Sequence, residues 1–158
     1  PREDAKVASF AGLRGPKPAT WMSHPPATQF AVAEFAVPGR DGADQARIVA
    51  SIAGGALEAN VARWKGQFRA NADGGTVEPV LSKIETAEFT IDVVELTGEY
   101  RGMGAGFAPD QTMLTGIVPA GNNQQVFIKF TGPSKTVEAN REAFMELLRG
   151  LKRVEGGK

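Results

Sequence analysis

Apolar and polar positions along the chain repeat with two periods, one typical of strands and one typical of helices. Strands are predicted where apolar residues alternate with polar ones or form short unbroken runs, since such runs suit a sheet covered on both faces. These segments are 29–37, 45–52, 88–97, 111–118 and 125–130, with weaker alternation at 7–13 and 76–86. The alternation changes phase inside 29–37, which indicates either a bulge near Ala33 and Glu34 or apolar cover on both faces.

Helical spacing marks two other segments, one at 56–70 and one that starts at Ser134. The apolar stripe of the first segment consists of Leu57, Val61, Trp64 and Phe68. The stripe of the second consists of Val137, Phe144, Leu147, Leu148 and Leu151. At about 100° per residue each stripe lies on one narrow face, so both segments are predicted to be amphipathic helices packed on the sheet.

The order of these elements predicts the fold class. Strands, a helix, more strands and a second helix follow one another, and short links between neighbouring strands favour antiparallel pairing. We therefore predict an α+β fold, with a mostly antiparallel sheet flanked by two helices as an α/β/α sandwich. Residues 1–158 are expected to form a single domain, in which 1–17 is a candidate for a loosely ordered N-terminal arm. Trp21 is predicted to close one end of the core.

Four short motifs carry a resemblance to a known type of fold. They are Pro-Ala-Thr-Trp at 18–21, Val-Pro-Gly at 37–39, Phe-Ile-Lys-Phe-Thr-Gly-Pro at 127–133 and Phe-Met-Glu-Leu-Leu at 144–148. With these motifs the chain resembles the PsbP/Mog-type fold over about residues 18–150. The segment 59–68 is similar, more narrowly, to a segment of uncharacterised bacterial secreted proteins or lipoproteins with that pattern.

The resemblance has consequences for function and location. It implies a non-catalytic binding or accessory role, because no shared catalytic constellation defines the wider fold, and it transfers no binding residue. It also implies a location outside the cytoplasm, in the periplasm or at the envelope. Because the sequence starts at Pro1 without an initiator Met, we expect a processed N-terminus, from which a signal peptide or a lipid-bearing cysteine could have been removed.

Charge and cysteine content exclude several classes of function. Lys plus Arg equals Asp plus Glu, 18 against 18, and no basic run exceeds two residues, which argues against nucleic acid as a partner. The sequence has no cysteine, so disulfides, thiolate nucleophiles and zinc–thiolate sites are excluded. No apolar run approaches the ~20 residues of a transmembrane helix.

Catalytic and metal-binding residues are not predicted. His24 is the only histidine, and it stands in a segment rich in proline, with no nucleophile elbow elsewhere in the chain. The local carboxylate pairs are Asp41 with Asp44 and Glu85 with Glu88. The first pair lacks the spacing of a calcium loop and fits a solvated turn better. We therefore expect no catalytic residue, no metal and no cofactor.

Two groups of residues are predicted to form a binding surface. The first is the polar row beside the apolar stripe of the first helix, which could equally fasten that helix to the sheet. This row consists of Asn60, Arg63 and Gln67. The second group lies in the glycine-rich loop 98–109, whose spacing fits neither common phosphate-binding fingerprint. Its apolar, aromatic and basic members, which suit an adaptable contact surface, are Tyr100, Arg101, Met103 and Phe107.

Three functions fit these observations. The first is an extracytoplasmic binding or accessory module that contacts an unknown protein partner, without catalysis. The second is an envelope protein that binds a small molecule in a pocket under the glycine-rich loop. The third is a hydrolase that uses carboxylates brought together by folding, although the sequence names no such pair.

Overall fold

The computed structural model describes residues 3–26, 28–40, 42–71, 77–101 and 106–154. These residues form eleven strands, three α-helices and a short 3-10 helix at Glu3–Lys6. The strands are β1 (Val7–Phe10), β2 (Leu13–Pro16), β3 (Met22–His24), β4 (Ala31–Val37), β5 (Ala46–Gly54), β6 (Phe68–Arg69), β7 (Val80–Glu85), β8 (Thr90–Tyr100), β9 (Ala108–Gly121), β10 (Gln124–Pro133) and β11 (Lys152–Arg153). The helices are α1 (Leu57–Lys65), α2 (Ser134–Ala139) and α3 (Arg141–Arg149).

Eight of the strands form one large sheet in the order β3-β4-β5-β10-β9-β8-β6, and β7 also pairs with β8. Every pairing in it is antiparallel. Its centre is the predicted hairpin of β9 and β10, which turns at Asn122 and Asn123. Both asparagines have positive φ, as a tight hairpin turn requires. The predicted α+β class with a large, mostly antiparallel sheet is therefore confirmed.

The large sheet is apolar on both faces, because neighbouring residues of a strand point to opposite sides. On β10, Phe127 packs against the Trp64 ring of α1, with the ring centroids 5.4 Å apart. Three residues on, Phe130 points to the other side and packs against Phe144 of α3, at 5.1 Å. We call these two sides the α1 face and the helix-pair face.

The first predicted helix is shorter than the sequence predicts. It ends at Lys65 rather than at 70, with a turn in which the Gln67 amide donates to the Trp64 carbonyl. Phe68 then pairs with Tyr100 as a strand residue. The reason is tertiary, because pairing with the end of β8 satisfies backbone groups that a longer helix would have bonded internally. Phe68 still lies in the same apolar cluster as Trp64.

The second predicted helix is two helices, so the structure has three α-helices rather than two. The break falls at Asn140, whose φ and ψ of −113° and 8° lie outside the helical range. Its side-chain amide donates to the Thr136 carbonyl, and its side-chain oxygen accepts from the Trp21 indole. Asparagine side chains that bond to nearby backbone compete with helix continuation, which explains the break.

Strands from the two ends of the chain form a second, smaller sheet. Residues 7–16, placed in the candidate arm, form β1 and β2, and these pair with β11 in the order β1-β2-β11. Phe10 and Leu13 are buried in the core of the helix-pair face. Trp21 is buried there as predicted. In β4 the register shifts between Ala31 and Ala33, so a bulge accounts for the change of phase.

Candidate binding surface on the α1 face

The predicted polar row of α1 divides into one buried residue, one exposed residue and one beyond the helix. Asn60 is only 2% exposed, and its amide donates to the carbonyls of Ala56 and Gly54, which ties the first turn of α1 to the end of β5. Arg63 is exposed on the helix. Gln67 follows the helix, and its backbone carbonyl accepts a hydrogen bond from the backbone amide of Arg101 at 2.9 Å. Arg63 and Gln67 therefore remain accessible for binding, and Asn60 holds the helix in place.

The residues predicted in the glycine-rich loop lie beside the end of α1, as far as the structure describes them. The Tyr100 ring packs against Phe68 at 4.8 Å between centroids. The Phe107 ring has two guanidinium groups over it, Arg69 at 4.1 Å and Arg101 at 5.4 Å from its centroid. Met103 lies outside the described residues. The two groups of residues predicted from sequence thus meet through the contacts of Gln67 with Arg101 and Phe68 with Tyr100.

Two cations that the sequence reading missed complete this surface. Lys129 of β10 lies with its amine 5.5 Å from the Trp64 ring centroid, and the Arg63 guanidinium lies 5.7 Å from the same centroid. Arg47 of β5 is the diagonal cross-strand neighbour of Lys129, because it pairs with Thr131. We call Arg47, Arg63 and Lys129 the basic shelf. A lone lysine within the apolar run Val-Phe-Ile-Lys-Phe at 126–130 was the available signal.

Electrostatic repulsion within the basic shelf is evident at Lys129. Burial, the largest cause, together with the charges of Arg63 and Arg47 lowers the pKa of Lys129 to about 8. Arg47 forms an ion pair with Glu34 at 3.4 Å. Within the described residues neither Arg63 nor Lys129 has a carboxylate within ion-pair distance. Two of the three cations are therefore without a counter-charge there.

Polar atoms close to the basic shelf also lack partners. Thr115 of β9 lies directly opposite Lys129, is fully buried, and its hydroxyl has no hydrogen-bond partner among the described residues. The side-chain oxygen of Gln67 is also buried and also has no hydrogen-bond partner among the described residues. Burial raises the pKa of the Tyr100 hydroxyl, an effect that Arg47 opposes. Unpaired buried polar groups cost folding free energy, so this side of the sheet is less well satisfied than its polar composition allows.

The helix-pair face carries a different polar site, a shallow groove of about 560 Å³ between the sheet and α2. Arg141 bonds Glu95 through both terminal nitrogens and Glu138 through Nε. A chain of hydroxyls runs from Ser134 through Thr112 to Thr97, at 2.7 and 3.2 Å. Both carboxylates are thus already bound by one guanidinium, and the hydroxyls bond one another.

The described residues contain neither a metal-binding cluster nor a helix that could cross a membrane. The described ranges hold no group of three or more His, Cys, Asp or Glu side chains that could bind a metal ion. His24 is exposed on β3, at the edge of the large sheet. None of the helices in the described part of the chain has the length and apolar character needed to cross a membrane.

Comparison with known proteins identifies the type of fold. No family model and no curated protein sequence matches the chain. Among solved structures it is similar to the solution structure of cyanobacterial PsbP (CyanoP) from Synechocystis sp. PCC 6803, with a TM-score of 0.57. The match covers 90% of this chain and 86% of that chain, at 10% sequence identity. The chain therefore has a PsbP-like fold, and at this identity the similarity establishes the fold alone.

Proposed function

We propose that this chain is a non-catalytic binding and accessory module that acts outside the cytoplasm through contact with another protein. The observation that carries the proposal is the exposed Arg63 and the half-buried Lys129, which flank Trp64 without a carboxylate partner among the described residues. Arginine and aromatic residues are enriched at protein interfaces, and a charge that is unpaired in the free protein can be paired by a partner.

The proposed contact surface extends from the basic shelf to the loop residues beside it. It includes Arg63, Gln67, Tyr100, Arg101 and Phe107, which the contacts of β6 with β8 hold beside α1. In this proposal the molecule is an α/β/α sandwich, with α1 on one side of the sheet and the helix pair on the other. The sheet then acts as a rigid support for a surface made by one helix and two neighbouring strands.

A capture experiment tests this proposal. Protein purified with a cross-linker from its native cells is compared with the Arg63→Ala, Gln67→Ala double variant, once circular dichroism shows that the variant folds. Lys65→Ala is the matched control, because Lys65 is exposed on the same helix. We expect a partner that the wild type and the control capture and the double variant loses. Equal capture by the double variant would place the contact elsewhere.

Export is tested separately. The intact mass of the protein from its native cells is expected to show a processed or lipid-modified N-terminus. A retained initiator Met with no processing would contradict the proposed location.

The groove on the helix-pair face favours one alternative function, binding of a small molecule. Its volume of about 560 Å³ is in the range of ligand sites, and hydroxyls and charges line it. A library screen by thermal shift tests this alternative, with Thr97→Val as the site variant. Stabilisation by a compound that the variant no longer binds would favour it over protein contact.

A further inference from the structure

The basic shelf lacks negative charge beside Lys129, its most buried cation, and beside the exposed Arg63. Lys129 lies on β10, which pairs with β5 on one side and β9 on the other, and its amine lies beside the Trp64 ring. Arg63 approaches the same ring from the helix. Glu34, beside Arg47, is the one carboxylate seen in an ion pair with this shelf in the described residues. The shelf therefore has three cations and one carboxylate, and the two cations without a carboxylate partner among the described residues are Lys129 and Arg63.

A buried cation without a counter-charge raises the free energy of the folded protein, because water no longer solvates it fully. The shift of the Lys129 pKa to about 8 has this origin, together with repulsion from the two arginines. An incoming carboxylate would remove part of this cost in addition to forming a charge-assisted hydrogen bond.

We propose, resting on the function proposed above, that the partner presents an acidic peptide segment whose carboxylates bind Arg63 and Lys129. The amount of charge favours a peptide over a nucleic acid or an anionic membrane. Binding to a phosphate polymer grows with the number of phosphates neutralised, and the chain as a whole carries no net charge to attract one. A shelf of three cations beside one carboxylate matches one or two carboxylates instead.

The spacing of the shelf also suits an extended peptide. Arg47 and Lys129 are diagonal neighbours on adjacent strands, which places their Cβ atoms roughly 7 Å apart. Side chains on one face of an extended peptide are separated by about the same distance, because each residue rises roughly 3.3 Å. A segment of alternating acidic residues can therefore bring one carboxylate to Lys129 and Arg63, which share the Trp64 ring, and the next towards Arg47.

Fluorescence anisotropy with a labelled peptide of alternating Glu and Ser tests the inference directly. We expect saturable binding at low salt, weakened about tenfold in Arg63→Ala and in Lys129→Met. Arg63→Lys, which keeps the charge, should weaken binding less than about threefold, and Lys65→Ala less than about twofold. A peptide with Gln in place of Glu should not bind. No saturable binding, equal binding of the Gln peptide, or equal weakening by Lys65→Ala would each overturn the inference.

Zero-length carbodiimide coupling adds a readout that depends on contact. It joins a carboxylate to an amine that touches it, so the Glu peptide should couple to Lys129 and coupling should be lost in Lys129→Arg, which keeps the charge. Coupling confined to other lysines would overturn the inference. Tighter binding of a single-stranded oligonucleotide or of phosphatidylglycerol vesicles at the same shelf would also overturn it, in favour of those anions.

Failure here is distinguishable from failure of the proposed function. If cellular capture depends on Arg63 but the acidic peptide does not bind, the module contacts a partner through other chemistry, and only this inference is lost. If the peptide binds at the shelf but capture from cells does not depend on Arg63, the shelf binds carboxylates while the proposed function is wrong in its site. The sequence of the cross-linked partner segment tests the acidic peptide itself. A segment that contains Asp or Glu supports the inference, and one without them contradicts it.

Discussion

One arginine on each face of the large sheet shows how the two faces differ. On the helix-pair face Arg141 binds Glu95 with two nitrogens and Glu138 with a third. On the α1 face the Arg63 guanidinium lies over the Trp64 ring and forms no ion pair with a carboxylate of the described residues. The first arrangement holds a helix to the sheet from within. The second leaves a charge facing outward, which is what contact with a partner requires.

Hydroxyl groups show the same difference. Thr112 and Thr115 stand three residues apart on β9, so they point to opposite faces. Thr112 bonds Ser134 and Thr97, whereas the Thr115 hydroxyl is buried and has no partner in the described part of the chain. The Thr112 hydroxyl therefore contributes to stability, whereas the unpaired Thr115 hydroxyl imposes a cost in the free protein.

The largest expected effect separates stability from binding. Phe144→Ala should lower the free energy of unfolding by about 3–5 kcal/mol, because Phe144 is fully buried against Phe130. The folded fraction should bind the acidic peptide as tightly as the wild type does, since the change lies on the other face. Urea unfolding and peptide anisotropy measure the two quantities. Weaker peptide binding by the folded variant would show that the faces are coupled.

The next effect tests the internal ion pairs. Arg141→Ala should destabilise the protein by about 1–2 kcal/mol, because Glu95 is left partly buried without its partner. Arg149→Ala is the matched control on the same helix, since its ion pairs with Glu142 and Glu146 are exposed, and it should change stability by less than about 0.5 kcal/mol. Equal losses in the two variants, measured by urea unfolding, would mean that Arg141 adds nothing beyond a surface pair.

Replacement of Lys129 should have the opposite sign. Lys129→Met is expected to stabilise the protein by about 1 kcal/mol near neutral pH, because it removes a half-buried charge beside two arginines. A folded pKa of about 8, below the ordinary 10.5, means that the full cost is present below about pH 8. Between pH 8 and 10.5 the Lys129 amine is deprotonated in the folded protein and still protonated in the unfolded chain. The free energy of unfolding of the wild type therefore rises with pH relative to that of Lys129→Met.

Urea unfolding of both proteins at neutral and alkaline pH measures this difference. The advantage of Lys129→Met should shrink as pH rises from about 8 towards 10.5. A difference that does not depend on pH would contradict the shifted pKa and weaken the contrast between the faces.

The smallest expected effect on stability belongs to Arg63. Arg63→Ala should change the free energy of unfolding by less than about 0.5 kcal/mol, because the side chain is exposed and forms no ion pair in the described residues. Thermal and urea unfolding measure it. A loss comparable to that of Arg141→Ala would mean that Arg63 is a structural residue, contrary to its proposed role.

Much of the fold was predictable because local pattern and tertiary packing agree. The alternation in β8 and the run in β10 reflect burial on two faces, and the hairpin between β9 and β10 follows from its turn residues. The break at Asn140 was not predictable, because the side chain that bonds the nearby Thr136 carbonyl also accepts from the Trp21 indole, more than a hundred residues away. Similarly, α1 ends early because Phe68 finds Tyr100 across the sheet.

The candidate surface was predictable only in part. Helical spacing identifies Arg63, but it groups Asn60 with it, and no periodicity reveals that the Asn60 amide closes the first turn of the helix. Arg47 and Lys129 are far apart in sequence, and only the register of β5 with β10 makes them neighbours. The binding roles of Asn60, Arg63, Gln67, Tyr100, Arg101, Met103 and Phe107 remain predictions.

The placement of the two tryptophans has a practical consequence. Trp21 is buried on the helix-pair face and Trp64 on the α1 face, so each side of the sheet contains its own fluorescent probe. Replacement of either one by Phe leaves an optical signal from a single side. If both signals disappear at the same denaturant concentration as the circular dichroism, the two sides unfold together as one cooperative unit. If the Trp64 signal changes at a lower denaturant concentration, the α1 face unfolds before the helix-pair face.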